Sequence, residues 1–366
     1  MTIAIDATYL KSDGAMIIYS GLIDSVCSKY STNREVILYY SSKAIPPITA
    51  RPTNQIPITF HSKIHFFLWH IFIFHSILKR QKCEHLYAIG GYYLGGFKPF
   101  SIVIQSLLPF EKGIVKQYSF ALKIKYGLLR RFYIHSIKKA EEIFIFTRHS
   151  QKYLSESNYK PTGEIEFLEF KVKIKKQAAE SDIHTEKENP LIFLYPAHLT
   201  YYKNHLRLGR VFTRLQQAGF KVKLFLIGRK DGSESDSILK ALSQLPNSES
   251  FIVYDGFIAR TEIGEYYGRA DYLIYPSLVE SIGVPLYEGI LLDKPILCSN
   301  HITIATQVAR EETADGNVIG KFCVKKEETA QGGGYNKIKF FDPENEGDMF
   351  TVIQEAIATG MNDARI

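Results

Sequence analysis

The chain alternates short apolar runs with stretches whose apolar residues recur every three or four positions, the patterns of buried strands and of amphipathic helices. In the first half, residues 3–6, 36–40, 86–89, 102–105 and 143–147 are apolar runs, and 17–29 and 117–139 carry the helical period. In the second half the runs are LIFLYPA (191–197), VKLFLIG (222–228), FIVYDG (251–256), YLIYPS (272–277) and PILCS (295–299), with helical patterns at 204–218, 234–245, 261–269 and 285–292. Strands alternating with helices predict parallel α/β sheets covered on both faces. A length of 366 residues exceeds one hydrophobic core, so two Rossmann-like domains are expected, residues 1–175 and 190–345. The stretch KIKKQAAESDIHTEKENP (173–190) is charged and lacks apolar periodicity, which makes 176–189 the expected linker, and 346–366 is expected to form a final helix.

In open parallel sheets ligands bind beyond the carboxyl ends of the strands, so the residues that follow each strand come first. After 272–277 comes Glu280 and, eight positions on, Glu288, on either side of Gly283 and Pro285. Pro285 suits the first turn of a helix, where its missing N–H would have been unpaired anyway. Glu288 then falls in that first turn, the amides of Gly283 and Val284 can face an anion, and both carboxylates can accept hydroxyl hydrogen bonds. A ligand carrying phosphate and a polyol suits such a site. After 191–197 comes HLTYYKNH (198–205), whose Lys203 offers a point charge to phosphate oxygens; after 222–228 comes Arg229, which offers a fork; after 251–256 come Phe257 and Ile258.

Charge divides this plan unevenly. Residues 1–180 hold 25 Lys+Arg against 13 Asp+Glu, net +12, and the remainder 20 against 25, net −5, which together restore the chain's +7. An anionic partner for the first half, membrane or nucleic acid, is implied. The basic excess concentrates in residues 112–139 (KGIVKQYSFALKIKYGLLRRFYIHSIKK), with eight Lys+Arg, no acid, and aromatic and aliphatic residues at helical spacing. Residues 61–80 (HSKIHFFLWHIFIFHSILKR) are strongly aromatic and end in two bases. Both suit the headgroup layer of an anionic membrane, and neither is a convincing span. His61, His65, His70 and His75 do not share one helical face and are read as structural rather than metal-binding. Cys27, Cys83, Cys298 and Cys323 are scattered without a CxxC pair, which argues against a zinc site or a disulfide framework. The opening MTIAIDATYL goes straight into a strand pattern with an acid at position 6, so no secretory signal is expected and the cytoplasm fits, with the inner face of the cell membrane as a peripheral station.

The chain resembles the retaining GT-B glycosyltransferases of family 4, the glycosyl transferases group 1. The likeness is carried by ESIGVPLYEGILLDKPI (280–296), DGF (255–257), YYGRAD (266–271), YPS (275–277), KN (203–204) and FDP (341–343), and is close over 191–299. It implies two Rossmann-like domains facing each other across a cleft, the first binding the acceptor and the second the nucleotide-sugar, with the final helix crossing back to the first. It further implies that Glu288 accepts the ribose hydroxyls, that Glu280 faces the transferred sugar, that the amides of Ile282, Gly283 and Val284 lie against the diphosphate or sugar, and that Lys203 holds the departing diphosphate. Phe257 and Ile258 fall where the family builds its nucleobase pocket, and Gly14, in SDGA (12–15), matches an amino-terminal glycine loop. His198 stands where many relatives carry an arginine five positions before the phosphate lysine, and Arg229 is the candidate to replace that charge. In VIQSLLPFEKG (103–113), Gln105 and Ser106 stand where other relatives place a histidine. No general base carries over, and these two remain acceptor-side candidates.

The resemblance implies a hexosyltransferase that keeps anomeric configuration and moves a hexose from a UDP- or GDP-sugar to a lipid-linked or growing surface polysaccharide, such as O-antigen, capsule or lipopolysaccharide. No cofactor is implied. The chain has no D-x-D sequence, which agrees with metal-independent chemistry in which Lys203 and the amides of 282–284 oppose the leaving group's charge. Two alternatives stay open: a GT-B nucleotide-sugar epimerase, and a non-enzymatic basic protein that binds membrane or nucleic acid. Glu280 and Glu288 together with Lys203 favour transfer, with a nucleotide-sugar, a glycan acceptor and a membrane surface as partners and no nucleic acid.

Overall fold

The structure is a computed structural model that describes residues 2–10, 13–30, 33–43, 52–104, 106–147, 150–151, 154–155, 159, 161–168, 170–175, 189–230, 232–302, 307–312, 317–323 and 337–359. All but the last residue of the expected linker, 176–189, and the candidate Gln105 lie outside the described residues. The chain forms two compact units, one of Met1–Val172 with Ala305–Val308 and Lys321–Thr329, the other of Lys173–Ile304 with Ala309–Gly320 and Ala330–Ile366.

The first unit contains β1 (Thr2–Ala7), β2 (Glu35–Ser41), β3 (Asn54–Ile58), β4 (Cys83–Ala88), β5 (Phe100–Val103), β6 (Glu142–Ile145) and β7 (Glu164–Phe167). They form a sheet of order β3-β2-β1-β4-β5-β6-β7 in which every pair is parallel. β8 (Phe170–Lys175) follows. The second unit brings β9 (Leu191–Pro196), β10 (Val222–Ile227), β11 (Ile252–Gly256), β12 (Tyr272–Tyr275) and β13 (Ile296–Ser299), and after β14 (Gln307–Glu312) and β15 (Asn317–Cys323) the last strand β16 (Ile338–Phe341). Its sheet has the order β11-β10-β9-β12-β13-β16, again parallel throughout, and a third sheet pairs β14-β15-β8. Both large sheets follow the 3-2-1-4-5 sequence of doubly wound folds, reversing direction between β1 and β4 in one and between β9 and β12 in the other. The two Rossmann-like α/β units expected from the apolar runs are present.

Central strands of such sheets are covered on both faces and therefore read as unbroken apolar runs. Ile3, Ala4 and Ile5 of β1, and Phe193, Leu194 and Tyr195 of β9, are buried accordingly. The strands absent from the sequence reading are β3, β7, β8, β14, β15 and β16; β3, β7 and β16 are sheet edges, where NQIPI, EIEF and IKFF carry polar side chains at half-exposed positions.

One departure concerns an expected site: Gly14 is the second residue of the helix Asp13–Tyr30 and not part of a loop. The final helix, Glu346–Thr359, buries Met349, Ile353 and Ala356, packs on the helix His205–Gln217 of its own unit, and accepts the Tyr272 hydroxyl at the Ala356 carbonyl (2.9 Å). Residues 360–366 lie outside the described residues. The aromatic segment 61–80 is helical in three pieces, Lys63–Leu68, a wider-turned Trp69–Ile73, and Phe74–Arg80.

That widened turn carries His70 into the core. Its Nδ1 donates to the Phe66 carbonyl (2.9 Å), and its Nε2 lies 3.0 Å from both Asp6 Oδ2 and Thr8 Oγ1. Asp6 also accepts from the Thr8 hydroxyl at 2.6 Å and the Thr8 amide at 3.1 Å, so three polar side chains at the end of β1 satisfy one another in a dry setting. Among the described residues no three His, Cys, Asp or Glu side chains gather to hold a metal ion. None of the described helices is long and apolar enough to cross a membrane. Removing the carboxylate leaves the buried Thr8 hydroxyl and amide and the His70 ring without their shared partner. Asp6→Ala is expected to lower stability by about 3 kcal/mol, measured by urea denaturation; a change within the error of the measurement would show that the cluster is not what anchors the 61–80 helix.

Candidate functional site

The second sheet reverses its strand order between β9 and β12, and the loops leaving these neighbours hold the strongest candidates. After β9 the chain makes one tight turn, Tyr201–Lys203, passes through Asn204 with φ 65°, and enters the helix His205–Gln217. After β12 it runs through Pro276 to Glu280, and Gly283, with φ 72°, caps the helix Val284–Leu291, whose first turn accommodates Pro285.

The two loops are stitched together by side chains. Tyr195 on β9 donates its hydroxyl to the Lys203 carbonyl (2.8 Å) and meets Ser277 Oγ at 2.9 Å. The Tyr202 carbonyl accepts the Leu278 amide at 2.8 Å. Asn204 Nδ2 donates to the carbonyls of Pro276 (3.2 Å) and Pro343 (2.7 Å), while Arg207 donates to Asn204 Oδ1 (2.8 Å) and to Pro343 (3.0 Å). The KN and FDP motifs therefore meet: Asn204 and Pro343 hold the loop that presents Lys203. At the neighbouring strand end Gly228 approaches so closely that a Cβ would lie 2.1 Å from the Ala197 carbonyl oxygen.

Lys203 is 7 % exposed and pairs with Glu280, with its Nζ 5.2 Å from the centre of the Tyr202 ring and 5.5 Å from that of Tyr275. Burial works against the ammonium charge, but the Glu280 carboxylate, aided by Tyr202, outweighs it and raises the lysine's pKa above its ordinary value. Tyr275 adds a hydrogen bond to Glu280 at 3.2 Å, and burial followed by that carboxylate holds its hydroxyl protonated. The pair is thus a fixed cation and anion in an aromatic enclosure, with Lys203 and Tyr275 both donating to the one Glu280 oxygen, Oε1.

Glu288 is 1 % exposed and pairs with Arg260, while the Tyr267 hydroxyl donates to its other oxygen at 2.6 Å. Burial, then the neighbouring Glu288, raises the Tyr267 pKa well above the ordinary tyrosine value, so that hydroxyl is a permanent donor. Neither Arg260 nor Tyr267 stands out in the sequence. Tyr267 lies inside the YYGRAD motif, one helix before β12, and Arg260 follows Phe257 and Ile258 in the loop after β11, where residue type alone does not reveal the partner.

The remaining candidates fall at neighbouring strand ends. The Arg229 guanidinium lies over the Phe257 ring at 4.5 Å, and the Arg229 amide donates to His198 Nδ1 at 3.1 Å, so His198, Arg229 and the half-exposed Phe257 form one group. Ile282 is buried, and Ile258 and Val284 are partly covered. In the first unit, Ser106 accepts the Leu108 amide at 3.3 Å, which gives it a turn-forming role of its own.

Residues 176–330 match the family model of the glycosyl transferases group 1. An uncharacterized glycosyltransferase of Sulfolobus islandicus rod-shaped virus 1 is 27 % identical over 113 residues, 30 % of this chain and 31 % of that relative, so the alignment spans about a third of the relative's length. Sucrose-phosphate synthase from Thermosynechococcus elongatus has the same fold, with a TM-score of 0.64 at 13 % identity over 100 % of this chain and 91 % of its own. WaaG, a glycosyltransferase involved in lipopolysaccharide biosynthesis, gives a TM-score of 0.61 at 12 % identity over 100 % and 93 %. The fold is GT-B.

One further histidine borders the site. His205 opens its helix with its ring 4.8 Å from that of Tyr195, and burial, then the Lys203 charge, lowers its pKa from 6.5 to about 3. It is a neutral ring and not an acid or base at ordinary pH. Because the unfolded chain binds a proton near pH 6.5 that the folded chain refuses until about 3, stability is full above 6.5 and declines as the pH falls through that window. A His205→Leu variant is expected to flatten this part of the stability profile in urea titrations run from pH 7 to pH 4; an unchanged acid slope would assign the loss to other groups.

Proposed function

We propose that the protein is a retaining glycosyltransferase that takes a hexose from a UDP- or GDP-sugar and delivers it to a lipid-linked or growing surface glycan at the cytoplasmic face of a membrane. The observation that carries this reading is that both glutamates bracketing one Gly283-capped helix start are held in place, the partly covered Glu280 by Lys203 and Tyr275, the buried Glu288 by Arg260 and Tyr267. A carboxylate fixed by a phenol and a guanidinium can still accept from a sugar hydroxyl, and preorganised acceptors of this kind lose little freedom on binding. In this reading Glu288 receives the ribose hydroxyls, the Phe257 ring with Ile258 receives the base, and the helix-start amides of 282–284 with Lys203 receive the diphosphate. In this reading the second unit holds the donor, with Gly14 as a further donor contact, and the first receives the acceptor, with Gln105 and Ser106 as its candidate contacts.

When the bond between the anomeric carbon and the diphosphate oxygen breaks, negative charge grows on the leaving group, and the acceptor hydroxyl oxygen bonds to the carbon on the face that the diphosphate leaves while its proton passes to the departing diphosphate oxygen. A lysine held in its charged form beside aligned amides opposes that charge without rearranging, which supplies the electrostatic part of catalysis without a metal ion. Lys203 is the group expected to matter most to turnover, and Arg229 and His198 flank it at the neighbouring strand end. The polysaccharide acceptor is supported by the group 1 match and by the likeness to WaaG.

A thermal-shift series against UDP- and GDP-sugars tests the donor, because a ligand that binds only the folded chain raises its melting point. One nucleotide class is expected to shift it, and no shift with any donor at millimolar concentration would overturn the reading. Glu288→Ala is expected to weaken that donor by about 1.5 to 3 kcal/mol, read by calorimetry, because the ribose loses a charged acceptor; unchanged affinity removes Glu288 from the role. Lys203→Met alone strands the partly covered Glu280 and should cost stability as well as turnover. Combined with Glu280→Gln it should regain melting temperature but not activity; recovered activity in the double variant would make the pair structural.

A further inference from the structure

The donor reading leaves unused two apolar stripes on the surface of the first unit. On the helix Phe120–Ile137, Phe120, Ile124 and Leu128 are exposed at four-residue spacing, Phe120 by 78 %. On the helical segment 63–80, Ile64, Leu68 and Phe72 repeat the same spacing, exposed by 71, 48 and 65 %, with exposed Ile73 beside them. Residues four apart share a helical face, so each trio is a stripe and not scatter. The opposite sides of both helices already have their core contacts, through Trp69, His70, Phe74 and Leu78 on one and Tyr133, Ser136 and Ile137 on the other. Phe67 and Phe132, with ring centres 6.0 Å apart, make the two helices neighbours.

The charge around the stripes has one sign. By helical spacing Lys123 and Lys125 fall on either side of the Phe120–Leu128 stripe and Arg131 continues it, all three exposed. Neither residues 61–83 nor 112–140 contain an Asp or Glu. A second copy of the chain laid on this face would bring like charges together, which disfavours self-association. An anionic bilayer offers both complements at once, headgroup phosphates for the bases and the acyl boundary for the stripes.

We infer that this face of the first unit docks on anionic lipid, with Phe120, Ile124 and Leu128, seconded by Ile64, Leu68 and Phe72, entering the acyl boundary and the flanking Lys and Arg meeting the phosphates. The helices lie on the surface and do not span it, none of the described ones being long and apolar enough to cross. This surface goes beyond the donor site and stands whether or not a nucleotide-sugar binds.

Co-sedimentation of the full chain with phosphatidylcholine vesicles, with and without phosphatidylglycerol, is the test. Binding is expected only with phosphatidylglycerol and should weaken as salt is raised. It should fall ~10-fold or more in Phe120→Ser/Ile124→Ser/Leu128→Ser, and likewise in Lys123→Glu/Lys125→Glu/Arg131→Glu. All six positions are exposed, so both variants should keep the parent melting temperature, and thermal shift with the donor reads the other site separately. The inference is overturned if the parent chain stays in the supernatant, or if folded variants bind as well as the parent. Sedimentation velocity adds the remaining outcome: a dimer that the stripe variant converts to monomer, with no vesicle binding, would make the face a contact between copies of the chain.

Discussion

The architecture of the candidate site depends on enclosing an ammonium and a carboxylate side by side where two parallel strands part. Lys203 and Glu280 leave neighbouring strands, β9 and β12, at the point where the sheet order reverses. Each would be costly to bury alone; together, beneath Tyr202 and Tyr275, they offset much of each other's desolvation. The tight turn before Asn204, the tie between Tyr195 and Ser277 and the αL cap at Gly283 are the backbone conditions for that meeting. A second charged pair, Arg260 with Glu288, ties the loop after β11 to the helix Val284–Leu291 that follows Glu280. The site is therefore a set of charges placed before any ligand arrives, which is the arrangement that electrostatic preorganisation requires.

The sequence showed its central strands and its acidic pair because burial on both faces, and a proline-opened helix start, leave marks that need no tertiary knowledge. β1, β2 and β9 to β13 were legible as apolar runs. β3, β7 and β16 were not, because an edge strand such as EIEF need hide only part of its surface and so mixes charge with apolar residues. The packing of the last helix was hidden for a related reason: Met349, Ile353 and Ala356 make an apolar stripe, but a stripe does not say that the surface it covers is the helix His205–Gln217.

Within the site, Glu280, Glu288 and Lys203 were legible by position, but their partners were not. Arg260 and Tyr267 reach Glu288 only because the loop after β11 and the helix before β12 bring them there. His70 is a similar case in the first unit. Its spacing from His65 and His75 spoke against a shared metal face, yet its pairing with Asp6 depends on a widened helical turn that no local pattern announces.

Asn204 has a consequence in time as well as space. Its side chain is tied to the Pro343 carbonyl, a residue 139 positions further along, and Arg207 reaches the same oxygen. A chain emerging from the ribosome can form β9 and the helix after it early, from local contacts, but the loop that presents Lys203 is not fastened until FDP has been made. Lys203 thus takes its final position near the end of synthesis, and a nascent chain stopped short of Pro343 would hold an assembled sheet core with the loop after β9 still loose.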